Sequence, residues 1–173
     1  MTAQKSKVSV ETVDRDFVLI RIVNAPRDRV FKAWVDPEQL AKWWGPRQFP
    51  ARCTGDVRGG GSMRLSMVGP DGTEYPMNIV FKELKESERL VWLQDCSEHP
   101  QEWHEQVNKN RHGAAGNIGQ MLLTITFEDF EGKTKMTVRM QFDNAADRDA
   151  LINIGMTEGW SESFEKLDEL LEE

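Results

Sequence analysis

Met156-Thr-Glu-Gly-Trp-Ser-Glu-Ser-Phe-Glu-Lys-Leu-Asp-Glu-Leu-Leu171 is the stretch on which the fold turns. Met156, Trp160, Ser163, Phe164, Leu167, Leu170 and Leu171 form one broad stripe, opposite Glu158, Glu162, Glu165 and Glu169. That is the pattern of a helix with one buried and one solvated face. At about 1.5 Å per residue it spans roughly 24 Å, enough to cross a curved sheet. Glu162 and Lys166 stand at the favourable i,i+4 spacing of a solvated face. Just upstream, Asp147 to Asn153 reads as a helical turn or two, and Gly155 loosens the junction.

Working back from this helix, the hydrophobic period becomes two between about Cys53 and Phe142. Met63, Leu65 and Met67 alternate with Arg64 and Ser66 before the turn Gly69-Pro70-Asp71-Gly72. Tyr75, Met77, Ile79 and Phe81 alternate with Asn78, Val80 and Lys82, and Arg89 to Leu93 makes a short strand. Met121, Leu123, Ile125 and Phe127, then Met136, Val138, Met140 and Phe142, form a hairpin about Glu131-Gly132-Lys133. Strands joined by short turns predict an antiparallel sheet with one face covered.

The front of the chain supplies one more strand. Phe17, Leu19, Arg21 and Val23 alternate with Val18, Ile20 and Ile22 up to Pro26. Pro26 and Asp28 start a helix through Val30, Phe31, Trp34 and Val35. Asp36-Pro37-Glu38 starts a second through Leu40, Trp43 and Trp44, stopped by Gly45-Pro46. The predicted order is strand, two short helices, five or six strands, long helix. This is an α+β fold in a single domain spanning residues 1–173.

Composition narrows the function. The chain has 173 residues, 39% hydrophobic and 29% charged, with a formal net charge of −7. This suits one folded domain and argues against a nucleic-acid surface or electrostatic docking on anionic membranes. Two cysteines, Cys53 and Cys96, make no disulfide framework, and the first eight residues hold no apolar run. A reducing cytoplasm is the expected compartment, as a monomer or homodimer.

Arg21-Ile-Val-Asn-Ala-Pro-Arg-Asp-Arg-Val-Phe-Lys-Ala-Trp-Val-Asp-Pro-Glu-Gln-Leu40, followed by Lys42-Trp-Trp-Gly-Pro46, resembles the front of the START-like, helix-grip superfamily. It is most similar to the branch named for activators of the heat-shock-protein-90 ATPase. Gly59-Gly60-Gly61, Arg89-Leu-Val-Trp92, Glu158-Gly159-Trp160 and Leu167 follow in matching order, so the likeness runs from about Val10 to Leu171. The resemblance implies a curved antiparallel sheet wrapped around the C-terminal helix, with an apolar cavity between them. Relatives bind hydrophobic small molecules, act as co-chaperone modules or, in other branches, catalyse cyclisation. It also implies a short loop where this chain inserts Cys96 to Gly119.

That insertion holds all three histidines, His99, His104 and His112. His104-Glu105-Gln106-Val107-Asn108 lacks the second histidine of the zinc-protease helix, so solvated loop histidines, and no metal, are expected. Pro100 to Arg111 is predicted as a short helix with Trp103 and Val107 on one side, ended by Gly113. It would lie over the cavity mouth or meet another subunit. Gly59-Gly60-Gly61-Ser62 lacks the ending of a phosphate loop and reads as a strand bend. No catalytic set and no cofactor motif is found.

Seven of the eight methionines fall in predicted strands or the last helix, which suits an adaptable apolar cavity. Met63, Leu65, Met77, Ile79, Trp92, Met156, Trp160 and Ser163 are the expected lining, around a volume of the order of 300 Å³ or more. Trp43 and Trp44 are assigned to packing of the short helices. Ser163 would either orient a ligand or bond back to Gly159. Arg21 and Arg139 are expected on the convex face, with a carboxylate partner or a ligand's acidic head as the alternative. The leading expectation is non-enzymatic binding of a hydrophobic or amphipathic small molecule. A co-chaperone-like module and an enzyme using the same cavity follow.

Overall fold

The computed structural model describes residues 9–111 and 116–172. Along the chain run β1 (Ser9–Val13), β2 (Asp16–Val23), α1 (Arg27–Val35), α2 (Pro37–Trp43), β3 (Ala51–Gly55), β4 (Ser62–Val68), β5 (Glu74–Lys85) and β6 (Arg89–Asp95). There follow α3 (Gln101–Lys109), β7 (Gln120–Phe130), β8 (Lys133–Gln141), α4 (Ala145–Asn153) and α5 (Met156–Leu171). All eight strands join one antiparallel sheet in the order β1-β2-β8-β7-β6-β5-β4-β3.

Two strands exceed the sequence expectation. Strand β1 is exposed throughout, so no inward apolar row marks it, and β3 is short and mostly exposed at the opposite edge. Each owes its structure to a neighbour's free hydrogen-bonding edge rather than to its own pattern. The inward rows match across strands: Phe81 pairs with Trp92, Trp92 with Leu123, Leu123 with Met140, and Met140 with Phe17. Helix α5 lies against this concave face with Trp160, Ser163, Phe164, Leu167 and Leu171 buried. Asn144 caps α4 by accepting from the Asp147 amide, which gives that segment a full helix.

Arg21 corrects an expectation. It shares the inward row of Phe17, Leu19 and Val23, is 4% exposed, and donates to Asp168 of α5 at 2.5 Å. Its guanidinium also sits 5.9 Å from the Phe164 ring centre. The carboxylate comes from the gripping helix, which pairing along a strand does not reveal. Arg139 does point outward, half-exposed, and pairs with Asp16 at 2.6 Å.

The glycine triplet does bend the chain. Gly61 accepts from the Phe81 amide while Gly60 donates to the Phe81 carbonyl, where the β5–β6 register shifts between Phe81 and Glu83. A Cβ on Gly61 would meet the Asp56 carbonyl oxygen at 2.2 Å, so no larger residue fits.

Candidate functional site

The pocket between sheet and α5 is set by position along the strands. Its sheet wall consists of Met67, Met77, Gln94, Cys96, Met121 and Met140. Met67 lies near the end of β4, Met77 in the first third of β5, Gln94 near the end of β6 with Cys96 just beyond it, Met121 at the start of β7 and Met140 near the end of β8. These are one end of the sheet, where β6 runs into the insertion. Leu151, Ile154, Gly155, Met156, Gly159 and Trp160 of the α4–α5 corner form the opposite wall, Trp44 and Pro46 a third. His99 and Trp103 of the insertion complete it, around a volume of about 230 Å³. Pro46, Ile154, Gly155, Met156 and Gly159 are half-buried, so the pocket opens at that corner.

Of the expected lining, Met77, Met156 and Trp160 stand on this wall, whereas Met63, Leu65, Ile79, Trp92 and Ser163 lie elsewhere. Met63, Leu65 and Ile79 face inward but sit in closed packing, at most 2% exposed. Trp92 is enclosed by Trp34 at 5.5 Å, Trp44 at 5.9 Å and Phe81 at 6.2 Å. Helices α1 and α2 thus fill that part of the concave face with indoles. The two tryptophan assignments therefore exchange: Trp44 reaches the pocket, 5.1 Å from Trp160, and Trp92 is core. The volume is also below the expected 300 Å³.

Ser163 braces the corner. Its hydroxyl donates to the Gly159 carbonyl and accepts the Gly45 amide, both at 2.9 Å. Gly45 has φ +86°, and a Cβ there would meet the Met67 sulfur at 2.6 Å. Lys166 adds a bond to the Trp44 carbonyl at 3.2 Å. Helix α5 in this way holds residues 44–46 against the mouth, and the Ser163 hydroxyl is engaged by backbone.

The insertion packs as a built wall. Val107 is fully buried and Trp103 packs on the core, as the i,i+4 pairing predicts. The helix ends at Lys109 with Asn110 as its C-cap; Gly113 and His112 lie outside the described residues. A buried Arg111–Asp147 pair at 2.8 Å ties the segment to α4. The expectation of solvated histidines is corrected at two positions. His99 is 8% and His104 2% exposed. His99 Nδ1 lies 3.0 Å from the Pro76 carbonyl, and His104 Nε2 lies 3.1 Å from the Ser97 carbonyl. Tyr75 and Trp103 flank the His99 ring at 5.6 and 4.6 Å. No cluster of metal-binding side chains occurs among the described residues.

Burial sets the chemistry of the polar groups here. Desolvation lowers the His99 pKa to about 4, against an opposing contribution from the Pro76 bond. Desolvation, with the Asp95 charge nearby, pushes the Cys96 thiol up to about 12. Both are neutral near pH 7, and a buried protonated thiol is a poor nucleophile. The Gln94 carbonyl accepts from the Trp92 indole at 3.1 Å. Sequence reasoning does not place Gln94, Cys96 and His99 in the wall, whereas the helix carrying Trp103 over the cavity mouth is one of its two placements for that segment. The signal for the first two was the continued alternation Leu90, Trp92, Gln94, Cys96 past the predicted strand end.

A curved antiparallel sheet closed over a long C-terminal helix, with a pocket between them, defines a helix-grip protein of the START-like class. The sequence matches the family described as "Activator of Hsp90 ATPase homolog 1-like protein" over residues 24–172, and the chain belongs to that family. A protein of Arthrobacter aurescens, solved in solution, is similar at 28% identity and TM-score 0.80, over 95% of this chain and 91% of that one. A crystal structure from Mycobacterium smegmatis shares the fold at 24% identity and TM-score 0.78, over 95% and 97% of the two chains. One from Nitrosomonas europaea does so at 24% and 0.75, over 94% and 97%. No curated protein matches the chain in sequence.

Proposed function

We propose that this protein binds a small, predominantly apolar molecule in the pocket between α5 and the concave sheet, without transforming it. The observation that carries the reading is the wall itself: it contains no Asp, Glu, Lys or Arg, and five of its side chains are methionines. Thioethers adapt to the shape of an apolar guest, and a corner open to solvent provides entry. Neutral Cys96 and His99 favour binding over thiolate chemistry. A cavity of ~150 Å³ accommodates benzene and drug-sized ligands need ~300 Å³ or more. At about 230 Å³ the guest has the bulk of one to two rings. The co-chaperone-like reading has less support, because the exposed large apolar side chains, Val10, Val13, Val80 and Phe130, are distributed over three strands. Free Cys53 and Cys96 suit a reducing compartment such as the cytoplasm. Among the described residues no helix is long and apolar enough to cross a membrane.

Native mass spectrometry of freshly purified protein tests the proposal through a co-purified mass. Tryptophan fluorescence provides the titration, since Trp44, Trp103 and Trp160 all line the pocket. A saturable change with a small aromatic guest, weakened by Met77→Trp, is the expected result. No saturable change across a panel of such guests would refute it.

A further inference from the structure

Resting on the binding reading above, we infer that the pocket selects an uncharged guest whose head group both accepts and donates a hydrogen bond: an alcohol, a phenol or a carboxamide. The accepting half of that head meets Gln94 and the donating half meets His99. Two fixed hydrogen bonds assign these roles. An indole N–H only donates, so the Gln94 atom facing Trp92 is its amide oxygen, and the NH₂ group, with two donors, is left on a residue that lines the pocket. A backbone carbonyl only accepts, so the His99 nitrogen facing Pro76 carries the proton. Nε2 of the neutral ring is then a lone-pair acceptor, again on a lining residue. Gln94 and His99 therefore add an amide donor and a ring-nitrogen acceptor to a wall whose other polar groups are the Cys96 thiol and the indoles of Trp44, Trp103 and Trp160.

Charge is excluded by the same inventory. A carboxylate head would leave water with no cation on the wall to meet it, and an ammonium would find no carboxylate. A wholly apolar guest would bury the Gln94 and His99 groups without partners, which weakens its binding. The preference comes from residues of this chain's own insertion and strand end.

The test is a series of closely matched bulk, 4-propylphenol, propylbenzene and 4-methylbenzoate, titrated calorimetrically into the intact protein at pH 7.5. The phenol should bind about tenfold more tightly than propylbenzene, and the benzoate more weakly than the phenol by at least as much. Gln94→Met and His99→Phe should each remove about threefold of the phenol's advantage over propylbenzene, by weakening the phenol and by relieving the apolar guest of an unpartnered polar group. The wild-type series decides by itself if either variant fails to fold. Equal binding of all three, or tightest binding of the benzoate, overturns this inference and leaves the apolar pocket standing. Binding by none of them overturns the pocket reading, and the inference with it.

Discussion

Acidification acts on the fold through His99. In the unfolded chain its imidazole takes the ordinary value of 6.5, whereas burial lowers it to about 4 in the native state. The unfolded chain therefore binds the proton first as the pH falls. Stability from this residue is complete above about pH 6.5 and is lost progressively toward pH 4. At about 1.4 kcal/mol per pH unit, that gap sets a ceiling of about 3 kcal/mol, most of it lost by pH 4.5. The lowered carboxyls of Glu98 and Asp71, with ordinary values of 4.5 and 3.8, also favour the native state and begin to lose that effect at the acid end of this window. Both are exposed and titrate alike in wild type and in His99→Gln, so they cancel in the comparison. Urea denaturation at pH 7.0 and 4.5 should show wild type losing about 2–3 kcal/mol more than His99→Gln, whose amide can still donate to the Pro76 carbonyl. An equal loss in both proteins would refute the reasoning, as would a His99 proton resonance titrating near 6.5 in the folded protein.

Leu167→Ala removes a fully buried side chain from α5 and should cost about 2–5 kcal/mol; an unchanged thermal melt would count against the gripped helix. Asp168→Ala should cost about 2 kcal/mol, because it strands the buried Arg21 guanidinium, whose Nε already has no partner. Arg21→Met combined with Asp168→Leu should recover most of that loss in urea denaturation, and a double variant as weak as the single one would sink the idea. Gly159→Ala should raise stability by about 0.5–1 kcal/mol, since a Cβ there lies 3.8 Å from Pro46. It should also weaken 4-propylphenol by narrowing the mouth, and a lower melting temperature would contradict the helix geometry.

Patterns of period two and 3.6 are local, and they carried the architecture. The stripe of Met156 to Leu171 specified α5, and alternation specified β2 and β4 to β8, because in each the core needs one face apolar. Pro37 behind Asp36, whose side chain accepts the Glu38 amide, marked the start of α2 as read. Edge strands β1 and β3 were illegible or only half legible, because an edge is specified by the neighbour it pairs with.

The pocket is a different matter. Alternation says that Met63, Leu65, Met77 and Ile79 face inward, yet it is silent on which end of the sheet α1 and α2 will fill and which end stays open. That depends on where Trp44 and Trp160 meet, on Ser163 holding Gly45, and on the Arg111–Asp147 pair that docks the insertion. These contacts join residues 36 to 118 positions apart in sequence. The sequence alone determined which face of each element is buried, since that is a property of neighbouring residues along the chain. Only the tertiary structure decided which buried residues touch empty space, since a cavity is what remains after distant segments have packed.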